Sequence, residues 1–103
     1  MAEIIWTEPT LADFNSIAEY IALSNPMAVK QLVTTMFEKV QRLQNFPESG
    51  RVPPELETLN YREIVANPCR IFYKIQTNTV FILHVMRQEQ DLQRFLIANG
   101  MTA

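Results

Sequence analysis

The sequence predicts an α+β fold: an N-terminal strand, an antiparallel helix hairpin, a three-stranded antiparallel meander and a C-terminal helix. Three observations predict it. The stretch YREIVANPCRIFYKIQTNTVFILHVMR at 61–87 holds three runs rich in Val, Ile, Phe and Tyr, bounded by turn residues, as consecutive antiparallel strands do. Upstream, two stretches repeat apolar residues at helical spacing. The segment joining them, Ser24-Asn25-Pro26, is short, so the two helices lie side by side in opposite directions. A chain of 103 residues is expected to form a single domain, 1–103, large enough to bury one core without staples.

In order, 3–7 reads as a strand, with Ile5 alternating against Ile4 and Trp6 and Pro9 stopping it. Thr10, with Asp13 three residues on, reads as the N-cap of the first helix. That helix places Leu11, Phe14, Ile17, Ala18 and Ile21 on one face. Pro26 suits the first turn of the second helix, whose apolar face is Val29, Leu32, Val33, Met36, Phe37, Val40 and Leu43. It ends near Asn45-Phe46-Pro47. A loop of 47–60 follows, with Leu56 and Leu59 able to pack it down; a loop this long is functional or folded onto the protein. The meander strands are 61–65, 70–76 and 79–86. A last helix is expected over 88–99, with Glu89 and Asp91 complementing its dipole, Leu92, Phe95 and Leu96 as its apolar face, and Gly100 as its stop.

Composition narrows the function classes. The chain is 48% hydrophobic and 19% charged, which suits a soluble globular protein and argues against disorder. A net charge of −2 does not predict sequence-specific nucleic-acid binding. Charge is unevenly spread: residues 1–50 carry three Lys or Arg against six acids, and 51–103 carry six against five. Cys69 is the only cysteine, so no intrachain disulfide can form, which fits a reducing cytoplasm. No run approaches the roughly 18 apolar residues of a spanning helix, and the start of the chain lacks the pattern of a signal peptide. One His and one Cys cannot close a metal site alone, so neither metal nor cofactor is expected.

The clearest chemical signal is a small basic sheet in a mildly acidic protein. Arg62, Arg70, Lys74 and Arg87 lie in or at the ends of the meander strands, with Glu63 the only acid among them. Strand alternation sets Ile71, Tyr73 and Ile75 on one face and Arg70, Phe72 and Lys74 on the other. The second set reads as the open face. His84 alternates with Val80, Ile82 and Met86. It reads as a structural imidazole rather than a general base, because nothing near it in sequence completes a catalytic set.

The same stretches carry a resemblance. Tyr61-Arg62-Glu63-Ile64-Val65, Cys69-Arg70-Ile71-Phe72-Tyr73 and Ile82-Leu83-His84-Val85-Met86-Arg87 resemble the three C-terminal strands of the ParE/RelE superfamily of bacterial toxins. Phe46-Pro47-Glu48-Ser49-Gly50-Arg51-Val52-Pro53-Pro54-Glu55-Leu56 resembles the preceding loop of ParE-type, plasmid-stabilisation members. With the first strand and the helix pair, the resemblance covers nearly the whole chain.

The resemblance implies functions and also tests them. In RelE-type ribonucleases the arginine at the place of Arg70 steadies the phosphate being cleaved, for which a guanidinium fork is suited. An ion pair within the fold, or with a partner, is the other reading of Arg70. Arg62 stands where those enzymes often carry a catalytic lysine. Ile64 stands where they carry another basic residue, Arg87 falls close to a further catalytic arginine, and Arg94-Phe95 occupies the place of a late tyrosine. Cleavage through the RNA 2′-hydroxyl needs a base and an acid as well as charge stabilisation, and those two roles lack candidates. No catalytic residue is therefore expected. The resemblance points to the ParE branch: a toxin of a type II toxin–antitoxin pair that binds DNA gyrase, catalyses nothing itself and is neutralised by a cognate antitoxin. Arg62, Arg70, Arg87, Lys74 and Phe72 are the expected target or partner surface. A ribosome-dependent messenger-RNA endonuclease and a non-toxic antitoxin-binding module are the alternatives.

Overall fold

The computed structural model describes residues 1–90 and Arg94. Its order is β1 (Glu3–Trp6), α1 (Glu8–Ala22), α2 (Pro26–Gln41), β2 (Arg62–Ala66), β3 (Cys69–Gln76) and β4 (Thr79–Arg87), with short 3-10 turns at Arg42–Gln44 and Pro54–Leu56. The strands form one sheet in the order β1-β4-β3-β2. β2, β3 and β4 are the expected antiparallel meander, and β1 adds to β4 in parallel, Glu3 opposite Thr79 and Trp6 opposite Ile82. The helix expected over 88–99 does not begin at Gln88. Gln88 and Glu89 form a turn, held by Gln88 N–H on the Pro68 carbonyl and by Arg87 N–H on Gln90 Oε1, both 2.9 Å. The rest of that expected helix, Arg94 apart, lies outside the described residues.

The helix starts show how side-chain chemistry sets boundaries. α1 begins two residues before Thr10, because Pro9 fits the first turn, where its missing N–H leaves no bond unmade. Thr10 is not the cap. Its hydroxyl donates to the Ile82 carbonyl at 2.6 Å, as does that of Thr7. α2 starts as expected: Asn25 Oδ1 accepts from Ala28 N–H at 3.3 Å and Pro26 fills the first position.

Both helices cover one face of the sheet. Ile17, Leu32, Met36, Val40 and Leu43 meet Ile71, Tyr73, Val80, Ile82 and Val85 in one buried cluster. Burying each such side chain stabilises the fold by roughly 1.5–3 kcal/mol before conformational entropy is charged against it. Leu11 and Phe37, expected on the apolar faces, are half-exposed at the margins; Phe37 packs its ring 5.1 Å from that of Trp6.

One irregularity rearranges β4. Phe72 pairs with His84 but Tyr73 pairs with Ile82, so Leu83 is an extra residue, a β-bulge. Simple alternation grouped His84 and Met86 with Val80 and Ile82. The bulge instead returns Val85 to the helix-covered face and sends Met86 to the other.

Candidate functional site

The face opposite the helices is not open. Residues 47–61 fold over it as a strap, and Leu56, Leu59 and Tyr61 pack on Phe72 and Met86. Phe72 is 2% exposed, so its expected role as a contact residue is corrected. The apolar side chains of the long loop needed burial, and the alternate β3 positions were where they found it.

Charged groups lock the strap. Glu63 is fully buried, with one carboxylate oxygen taken by Arg51 Nε and the other by Arg70 Nε at 2.6 Å. Arg70 also donates from both terminal nitrogens to Glu55, at 3.1 and 3.3 Å, and lies 5.1 Å over the Phe72 ring. Glu55 is thus an ion-pair partner of Arg70. A buried carboxylate without partners costs several kcal/mol; here two guanidinium groups from opposite directions neutralise it. Hydrogen bonds from Arg70 hold the Glu55 carboxyl below its usual range. Burial works against the charge on Arg70, but the bonds to Glu63 and Glu55 outweigh it and raise its pKa.

A second set of bonds fixes the start of the strap. Tyr73 Oη donates to the Pro47 carbonyl at 2.8 Å and accepts from Gly50 N–H at 2.9 Å. Burial raises the Tyr73 pKa, although the Gly50 N–H works against the rise. Arg62 Nη1 donates to the carbonyls of Gly50 at 2.9 Å and Glu48 at 3.2 Å. Gly50 is required by closeness: a Cβ there would stand 2.7 Å from the Glu63 carbonyl oxygen and press on the Tyr73 hydroxyl. Arg51 then pairs backbone to backbone with Glu63, at 2.8 and 3.0 Å.

The five residues expected to form one surface are therefore divided. Opposed residues of neighbouring strands share a face. Arg62 pairs with Tyr73 and Arg87 with Cys69, which puts both on the helix-covered face. Arg87 is engaged there, its guanidinium 4.0 Å over the Tyr20 ring and paired with Glu89. Arg70 and Lys74 share the other face, Lys74 reaching to 5.9 Å over the Phe81 ring. No two of these arginines converge on a common point for a phosphate.

His84 does have an acid, though one distant in sequence. Its Nδ1 lies 2.9 Å from Asp13 Oδ2, which also accepts from Val85 N–H at 3.1 Å. Thr7, Thr10 and Asp13, three residues apart along α1, bond in turn to β4 where β1 has ended. That polar row at helical spacing was the signal in the sequence. Cys69 is buried, and desolvation, with Glu89 nearby, pushes its thiol up to about 11; it is a poor nucleophile. Among the described residues no group of three or more His, Cys, Asp or Glu is gathered as for a metal, and no helix is long and apolar enough to cross a membrane.

Known proteins share this architecture. The solved chromosomal ParDE toxin–antitoxin system of P. aeruginosa contains a chain that superposes with a TM-score of 0.73 at 23% identity, over 86% of this chain and 98% of that one. The toxin–antitoxin complex RelBE2 of Mycobacterium tuberculosis gives 0.57 at 19% identity, over 84% and 98%. In sequence, Toxin RelE2 of Caulobacter vibrioides is 30% identical over 86 residues, 82% of this chain and 93% of its own length. The family model of the ParE toxin of type II toxin–antitoxin systems, parDE, matches residues 4–92. The fold defines a ParE/RelE-like toxin domain, and the chain belongs to the ParE toxin family.

Proposed function

We propose that this toxin acts by binding DNA gyrase and catalyses no reaction of its own, and that a cognate antitoxin neutralises it. The observation that carries the reading is the state of Arg70. The guanidinium that would steady a cleaved phosphate has its Nε on Glu63 and both terminal nitrogens on Glu55. Binding a phosphate there would require giving up two carboxylates, one of them fully buried. Arg62 faces the other side of the sheet, tied to loop carbonyls, and His84 is turned to Asp13. A nucleolytic site would need such groups gathered around one phosphate.

The test is a supercoiling assay on relaxed plasmid with purified gyrase and toxin, scored in parallel for linear, cleaved DNA. Loss of supercoiling with cleaved DNA is the expected result. Full supercoiling at large excess of folded toxin would remove gyrase as the target. The relatives named RelE2 and RelBE2 keep a ribosome-dependent endonuclease as the second reading. Under it, messenger RNA on translating ribosomes is cut by the wild type and spared by Arg70→Ala; under the gyrase reading both leave it whole.

A further inference from the structure

β1 is an edge strand, with β4 as its one neighbour in the sheet. The N–H groups of Glu3 and Thr7 point inward, to the carbonyls of Asn78 and Ile82. Backbone groups alternate along a strand, so Ile5 faces β4 as well, while Ala2, Ile4 and Trp6 face outward. The chain itself takes up Ala2, whose N–H donates to the Gln44 carbonyl at 2.8 Å. Ile4 and Trp6 are left with N–H and C=O groups that no described residue bonds.

Edge strands are ordinarily guarded by a charge, a proline or a bulge. The free stretch Ile4-Ile5-Trp6 carries none of these. An apolar groove of about 220 Å³ runs between it and α2, lined by Ile4, Trp6, Phe37, Val40, Gln41 and Gln44, none of them charged. Phe37, stacked on Trp6, is 54% exposed, and Ile5, on the other face of the sheet, is 36% exposed. A neutral edge selects no partner by sign. In a protein of net charge −2, it is a place where two copies meet without repulsion.

We propose that a second copy of this chain pairs with β1, antiparallel, about a two-fold axis at Ile5. The free groups fit this register. Ile4 of each copy lies opposite Trp6 of the other and exchanges both backbone bonds with it, so every free donor meets a free acceptor. Glu3 falls opposite Thr7, so along the paired strands no acid faces an acid. Ile5 meets its own equivalent at the closer, non-hydrogen-bonded position, and Trp6 comes beside Ile4 of the other copy, against the apolar groove. The contact is isologous and closes on itself. Its axis stands perpendicular to the sheet, so the two sheets join into one, with both helix layers on the same side.

The test uses the whole chain. Sedimentation equilibrium should show a monomer–dimer equilibrium. As concentration rises, the Ile4 and Trp6 amides of the wild type should exchange more slowly, and the emission of Trp6, the one tryptophan, should move to the blue. Ile5→Lys and Ile5→Glu each place like charges at the axis. Either alone should weaken self-association by about tenfold or more, and an equimolar mixture of the two should restore it. Restoration by mixing distinguishes a lost contact from a lost fold. Ile5→Cys should give a disulfide-linked dimer on mild oxidation, because Cα atoms at such a position approach to about 4.5 Å. Leu23→Cys, exposed at the far end of α1, should not, and Cys69 is buried. If the charged variants fail to fold, the exchange of the wild type and the oxidation of Ile5→Cys decide. A chain that stays monomeric up to about 1 mM, or a dimer in which Ile4 and Trp6 remain unprotected, overturns the proposal.

Discussion

The two faces of the sheet are built by different physics. The helix-covered face is a broad apolar cluster, from Ile17 and Leu32 to Ile82 and Val85, assembled from elements that each carry an apolar stripe. The strap-covered face has a small apolar centre of Leu56, Phe72 and Met86 and a fringe of charge, Arg51–Glu63–Arg70–Glu55. The first face gains stability from area and is nearly indifferent to pH and salt. The second joins a largely irregular loop to a strand, and uses directional, charge-assisted bonds because such a loop has little apolar area to bury.

This contrast can be broken by experiment. The largest effect is expected from Leu43→Ala on the helix side. Leu43 is fully buried, and the truncation should cost about 3 kcal/mol, read as a lower urea midpoint with coincident loss of all structure. Glu63→Ala should come next, at about 2–3 kcal/mol, because it leaves Arg70 half-neutralised at a site only 11% exposed. Its signature should be selective loss of amide protection in 47–61; a uniform loss would mean that the strap is an integral part of the core.

Leu56→Ala should cost about 2 kcal/mol and loosen the same residues first in native-state hydrogen exchange. The acid response is a finer test. The folded Glu55 carboxyl titrates below its ordinary 4.5, so its contribution is fully present above that value and is lost as pH falls through the lower, folded one. Glu55→Gln should therefore flatten the acid limb of a stability profile below about pH 5, while Leu43→Ala lowers the whole profile without changing its shape. The smallest effect belongs to neither face. Thr77, in the β3–β4 turn, holds φ at 56°, a left-handed conformation that glycine adopts without strain. Thr77→Gly should stabilise the protein by up to about 1 kcal/mol, seen as a raised thermal midpoint.

The contrast also explains what could be read from the sequence. The helix hairpin, the meander and the helix-side core follow local periods, which Val29 to Leu43 and Ile71 to Ile75 display openly. The strap side depends on meetings that no period announces. Arg51 and Glu63 are 12 residues apart and Asp13 and His84 are 71 apart, and nothing local marks which charges will be paired. The basic residues read as one surface were therefore separated by the pleat: Arg62 and Arg87 went to one face, Arg70 and Lys74 to the other, and Phe72 was covered. Leu56 and Leu59 were recognised as able to fasten the loop, but the place where they would land was the face taken to be open.

Leu83 gives β4 slack of one residue in chain length, held at a single address. A protein lacking Leu83 should close into an unbroken ladder with Ile82 and Val85 still toward the helices and Met86 still toward the strap. A further single-residue insertion in the same strand has no such reserve to draw on, and would turn the residues beyond it to the wrong side of the sheet. Length variation along this strand is therefore expected to be lopsided, with shortening by one tolerated at Leu83 and lengthening by one selected against.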